Sequence, residues 1–420
     1  MHETDWRTRA RKLAGALAVA AAVAGAGACG GEGTGPATGG SASVGATTAG
    51  AAAVATGAGG ATVTAGAAVT GTAAAVVGAP AGAPADLAAT RAAINRGVAF
   101  LLAARGPDGL IGGHAGVSGL AALAIALSPD RPGKDDPRLA PTLAALAALA
   151  RPDGAIAGKD FPGYTTAIAL LVLAATGAHP ELVAPAQRWL ADHQLDEGEG
   201  SSPSDPGYGG IGYGDDGKTD LSNLHFALEA LHETHFKDRP EVYARALTFL
   251  SRCQNWSETN DQPWAGNDGG FVYRPGESKA GGTASSGSMT YAGLKSLVYA
   301  SVARDDPRVK AALVWISAHY SVDENPGLGK KGLYYYYQAF ARALALLGEP
   351  VLTDAAGVRH DWYGELTRKL LAMQAADGSW KNDDPTYWES NPVLATSRAL
   401  LALEYGWATA GGGGGGGGTK

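Results

Sequence analysis

From Asp86 to about Trp407 the apolar positions recur at the spacing of amphipathic helices, interrupted by loops rich in Gly, Pro and Asp. Few segments alternate as strands do. The loops share a pattern. Ala104-Arg105-Gly-Pro-Asp108-Gly109-Leu-Ile opens the series, and Ala150-Arg151-Pro152-Asp153-Gly154-Ala-Ile repeats it. Gln194-Leu-Asp-Glu-Gly runs on to Gly209-Gly210-Ile211-Gly-Tyr213, and Gln254-Asn-Trp256 leads to Asp268-Gly269-Gly270-Phe271. Asn325-Pro-Gly-Leu-Gly forms the fifth loop, and Gln374-Ala-Ala-Asp377-Gly378-Ser379-Trp380 the sixth.

Each loop follows an apolar helical run with large side chains, such as Ala246-Leu-Thr-Phe249-Leu, and precedes a smaller-sided one, such as Gly119-Leu-Ala-Ala-Leu-Ala. A repeat of this length means stacked units that cannot bury their apolar faces alone. Small residues let the second helix of each pair pack closely, as inner helices of a ring must. Asp136-Pro137 and Asp306-Pro307 read as an N-cap followed by Pro at the first helical position; Asp220, Ser288 and Asn391 are similarly placed before inner helices. The pattern predicts an all-α fold, an (α/α)6 toroid of six helix pairs.

The first fifth of the 420 residues is not domain-like. Residues 1–28 read as a signal peptide, with Arg7, Arg9, Arg11 and Lys12 before an apolar run that ends Ala26-Gly27-Ala28. Cys29 follows directly and resembles the lipidated cysteine of a bacterial lipobox; an ordinary secretory signal shares the layout. The expected location is therefore a membrane-anchored lipoprotein on the periplasmic side or cell surface, or alternatively a secreted protein. Residues 29–85, almost wholly small, read as a disordered tether, and the glycine-rich 409–420 as a disordered tail, leaving 86–408 as the folded domain. The formal charge of −7 with no basic stripe argues against nucleic acid, and a membrane is met only through the anchor. Only Cys29 and Cys253 occur, so no disulfide is expected within the domain.

Leu370-Leu-Ala-Met-Gln374-Ala-Ala-Asp377-Gly378-Ser-Trp380 resembles the QW repeat of the terpenoid cyclase and protein prenyltransferase α/α-toroid superfamily, and the resemblance spans roughly Asp86 to Trp407. In that repeat Gln374, Asp377, Gly378 and Trp380 would be structural: the amide bonds backbone at a helix end, the Asp-Gly pair makes the turn, and the indole stacks over it. The blocks around Gly209–Tyr213 and Gly287–Leu294 look like the squalene-cyclase-like exported bacterial subgroup. The family's chemistry transfers poorly. There is no Asp-x-Asp-Asp acid motif, and Cys253 lacks the Asp-x-Cys context of the prenyltransferase zinc site.

The toroid places the inner-helix N-termini at one mouth, which implies a shared cavity there. Asp220 and His225 are candidate proton-moving groups, and Asn223, Tyr291, Tyr334, Tyr335, Tyr337 and Trp388 candidate ligand contacts. The plain alternative is that Asp220 and Asn391 cap helices while the aromatics fill the barrel. His225, His232 and His235 with Glu229 and Glu233 read as a solvated helix end and not as a metal site. No metal or cofactor is expected. Three functions remain: a cyclase-like lumen for an isoprenoid or other apolar ligand, a surface scaffold for protein or glycan, or a polysaccharide lyase or hydrolase. The last predicts a cation beside a carboxylate in the groove, from Arg274, Lys279 or Arg398.

Overall fold

The computed structural model describes residues 84–159, 161–214, 217–407 and 409–412. The expected leader, Cys29, nearly all of the tether and most of the glycine tail lie outside these residues. Among the described residues the chain is mostly helical, with an outer helix and an inner helix in each repeat. The outer series is α1 (Leu87–Ala103), α3 (Ala140–Ala147), α5 (Pro180–Asp192), α7 (Glu241–Cys253), α9 (Pro307–Ala318) and α11 (Trp362–Met373). The inner series is α2 (Ala115–Leu127), α4 (Pro162–Thr176), α6 (Leu221–Glu233), α8 (Gly287–Tyr299), α10 (Leu333–Leu347) and α12 (Pro392–Trp407). Two short antiparallel hairpins are the only sheets described: β1 (Gln254–Trp256) with β2 (Asn267–Phe271), and β3 (Leu352–Thr353) with β4 (Arg359–His360). None of the described helices is long and apolar enough to cross a membrane.

The two series bury differently. Helix α7 buries one stripe, Val242, Ala246, Phe249 and Leu250, whereas in α2 every residue from Gly116 to Ala126 is buried. A helix that is apolar all round can be covered on all sides. Each inner helix packs on the next, from α2 through α4, α6, α8 and α10 to α12, and α12 packs back on α2.

The joints between repeats explain the loop pattern. Gln194 Nε2 donates to Gly209 O at 3.0 Å and to Val242 O at 2.9 Å. Gln254 Nε2 does the same with Gly269 O at 3.0 Å and Arg308 O at 2.8 Å. Gln374 Nε2 bonds Gly378 O and Ala93 O, both at 2.9 Å. Each amide thus ties its own loop to the following outer helix, and for Gln374 that helix is α1, at the other end of the domain. The Trp380 indole N–H donates to Leu370 O at 2.8 Å, which fixes the end of α11. Glycines 109, 154, 209, 269 and 378 all have positive φ, and a Cβ at each would run into a carbonyl of the next outer helix, so a side chain there would meet both strain and collision.

Two expectations are corrected. Asp136 accepts from Arg138 N at 2.9 Å and opens a turn, but α3 starts only at Ala140, so Pro137 is not its first residue. Helix α8 has Ser286 as its N-cap residue, while Ser288 lies inside the helix and its backbone N–H donates to Asn325 Oδ1 at 2.9 Å. Asp306 and Pro307 do begin α9 as cap and first residue.

Candidate functional site

A cavity of about 190 Å³ opens where the N-termini of α6, α8 and α10 meet, and Arg398 of α12 reaches it. Its carbon walls come from Tyr213, Tyr273, Met289, Leu328, Tyr335 and Tyr387. Its polar groups come from Ser222, Ser286, Ser288, Asn325, Lys279 and Arg398. At its edge stand three exposed aromatics, Phe161, Tyr387 and Trp388. The Phe161 ring lies 5.1 Å from Tyr213 and 6.3 Å from Trp388, which in turn meets His114 at 5.7 Å. All three hold positive φ, 54°, 59° and 64°. Bulky side chains adopt that conformation rarely and at a cost, and such strain gathers at working surfaces.

Behind the wall stands a hydrogen-bonded pair, of which Tyr335 lines the cavity and His225 does not. His225 Nε2 lies 2.6 Å from the Tyr335 hydroxyl, and both rings are within the protein. Burial, reinforced by the charges of Lys295 and Arg398, lowers the His225 pKa well below its ordinary value, so the imidazole is neutral. Burial likewise pushes the Tyr335 phenol well up. Arg398 sits 4.8 Å over the Tyr335 ring and 3.4 Å from Glu389 Oε1. Burial opposes its charge, but Tyr164, Glu389 and Tyr335 outweigh this and raise its pKa. Glu389 is fully buried and caps α10, accepting from Tyr334 N at 3.1 Å and Tyr335 N at 2.7 Å.

Asp220 caps α6: Oδ1 accepts from Asn223 N at 2.9 Å and Ser222 Oγ at 2.6 Å, and Oδ2 from Asn223 Nδ2 at 2.8 Å. Burial raises its pKa, and those bonds offset this only in part. Asn223 is therefore its partner and does not line the cavity. The four successive tyrosines of α10 diverge. Only Tyr335 faces the cavity; Tyr334 donates to Lys381 O at 3.2 Å and Tyr337 to Val322 O at 2.8 Å. Tyr291 packs in the interior against Tyr336 and Phe340. Of the cations singled out in sequence, Arg398 and Lys279 line the cavity, and both Lys279 and Arg274 pair with Glu277 at 2.7 Å.

Below the cavity the space between the inner helices is filled by charges. His225, Glu229 and Glu233 stand four residues apart on one face of α6. Glu229 pairs with Lys295 through Oε2 and with Arg342 through Oε1 at 2.8 Å, and Arg342 reaches Glu233 at 2.7 Å. Burial pushes the Glu229 carboxyl up, yet Lys295 and Arg342 prevail and hold its pKa at about 2. The solvated helix end expected for this segment holds for His232 and His235, which are exposed, and is corrected for His225 and Glu229, which are buried, Glu229 being only 2% exposed. Lys295 was legible as the one charge in the apolar run Gly293-Leu-Lys-Ser-Leu297, and Arg342 as a lone charge among alanines.

No protein-family model matches the sequence, and no curated protein does. Among solved structures, the apo form of the type II terpene cyclase MstE from Scytonema is similar at 16% identity and a TM-score of 0.49, covering 77% of this chain and 99% of that one. A variant of that cyclase in complex with merosterolic acid A, its product, gives 17% identity and a TM-score of 0.48 over 77% of this chain and 98% of that one. A protein from Actinoplanes gives 18% identity and 0.48 over 77% and 99% respectively. These are structures that the chain is similar to in its helical path.

Proposed function

We propose that the protein is an exported, terpenoid-cyclase-like (α/α)6 toroid, lipid-anchored at Cys29, that binds a small, largely apolar ligand of isoprenoid type in the cavity at its mouth. The observation that carries this reading is the wall of tyrosine rings, Met289 and Leu328 around a polar end. The return of α12 onto α2 supports the toroid. At about 190 Å³ the cavity is smaller than the roughly 300–1,000 Å³ of drug-sized sites, so it fits a short chain, or one end of a longer ligand lying along Phe161, Tyr387 and Trp388.

Binding without cyclisation fits the residues best. Protonating an alkene needs a strong acid facing the ligand, and both oxygens of Asp220 are held by Ser222 and Asn223. A second reading, a sugar-active lyase, draws on one observation: Arg398 stands beside Glu389 next to the neutral His225–Tyr335 pair, which could pass a proton. Thermal unfolding with geraniol, farnesol, glucose and glucuronate separates the readings. A saturable rise with the isoprenoids alone supports the first, since a ligand at a hundred times its Kd stabilises by about 2.7 kcal/mol. A rise with the sugars alone overturns it.

A further inference from the structure

We infer that the cavity receives the anionic end of its ligand, a carboxylate or a phosphate, between Arg398 and the N-terminus of α8. This deepens the reading of the cavity as a ligand site and rests on it.

Among the described residues, the lining carries two cations, Arg398 and Lys279, and no carboxylate, although Lys279 pairs with Glu277 just outside it at 2.7 Å. Arg398 is only 8% exposed, yet its Nε has no hydrogen-bond partner among the described residues. The carboxylate nearest to it does not complete the guanidinium. Glu389 already accepts from two backbone N–H groups of α10 and from Asn382 Nδ2 at 2.9 Å, and its contact to Arg398 is a long 3.4 Å. Tyr335 offers only a ring face. A planar donor with an unused N–H suits a carboxylate or phosphate oxygen.

The opposite wall repeats the signal independently. Ser286 precedes α8 and is 1% exposed, but its hydroxyl neither caps the helix nor bonds anything else described. The residues at the equivalent place in α6 and α12, Asp220 and Asn391, both cap. In α8 that duty falls to Asn325 from the neighbouring loop, which leaves the Ser286 hydroxyl unused at the cavity. The partial positive charge of the helix N-terminus adds to it. Two buried, unpartnered polar groups on different helices thus border one small cavity, with Lys279 at its edge.

The test is calorimetric titration of the full chain with geraniol, geranic acid and geranyl phosphate at low salt, alongside glucose and glucuronate. Geranic acid and geranyl phosphate are expected to bind at least about tenfold tighter than geraniol, with the preference shrinking as salt is added. Arg398→Gln should abolish the preference, and Ser286→Ala and Lys279→Gln should each reduce it about threefold. If Arg398→Gln fails to fold by circular dichroism, the other two variants decide. Equal binding of alcohol and acid overturns the anion seat while leaving the apolar site standing. Binding of glucuronate but not of glucose or any geranyl compound supports the seat and overturns the apolar reading. Binding of no probe overturns both.

Discussion

His225 and Tyr335, 110 residues apart in sequence, share a 2.6 Å hydrogen bond behind the wall of the mouth cavity. The imidazole is neutral in the folded protein, its pKa lowered by burial and by Lys295 and Arg398. In the unfolded chain the same group takes a proton below about pH 6.5. The unfolded state then binds more protons, so stability falls as the pH drops below that value, by about 1.4 kcal/mol per unit until the folded pKa is reached. His225→Gln keeps a hydrogen-bonding group opposite the Tyr335 hydroxyl and removes the titration. Urea unfolding at pH 7.5 and 5.5 should therefore show a smaller loss for the variant, and equal losses would exclude this coupling.

Glu229 pairs with the buried Lys295 and the partly buried Arg342, so removing its charge leaves Lys295 uncompensated, while Arg342 keeps Glu233. Glu229→Gln is expected to cost about 3–5 kcal/mol at pH 7. Its carboxyl pKa of about 2 is depressed, so its contribution is full above the ordinary carboxylate pKa and is lost as the pH falls from there towards 2. Unfolding midpoints of the two proteins should differ widely at pH 7 and approach each other at pH 3.

Gly378 has φ +88°, and a Cβ there would lie 2.5 Å from Arg96 O. Gly357 has φ +82° with nothing within 4 Å. Alanine at Gly357 should cost only the backbone term, about 1–2 kcal/mol. At Gly378 it should cost at least about 1 kcal/mol more, because α1 must move away. Equal chemical-denaturation midpoints for the two variants would show that the joint yields freely.

Trp388 is 56% exposed and holds φ 64°. Trp388→Gly relieves that conformation, so stability should hold or rise by up to about 1 kcal/mol. Ligand binding should weaken severalfold if the ring covers the bound molecule. Parallel melts and titrations read both, and a large loss of stability would make the ring a packing element only.

The parts of this architecture visible in sequence are those that depend on neighbours along the chain. Asp-Gly pairs mark turns because only glycine accepts their φ cheaply, and four such turns, at Gly109, Gly154, Gly269 and Gly378, do lie against the next outer helix. Gln194, Gln254 and Gln374 stand out because each comes at the end of an amphipathic helical run. Tyr334 to Tyr337 illustrate the opposite. Successive residues of a helix point about 100° apart, so four adjacent tyrosines cannot share one cavity, and their identity says nothing of which one faces it. The ion pairs of Glu229 join residues 66 and 113 positions away. A helix buried on all sides has no periodicity to reveal which charge points inward.

The bonds of Gln374 to Gly378 O and Ala93 O are of the same kind as those at the Gln194 and Gln254 joints, although they connect the last repeat to the first. A joint that does not distinguish first from last makes the order of units arbitrary. The domain should therefore tolerate permutation: fusing residue 407 to residue 86 through a short flexible bridge and cutting the exposed turn at Gly281 would begin the chain in the fourth loop. The gene could start elsewhere and still encode the same set of joints.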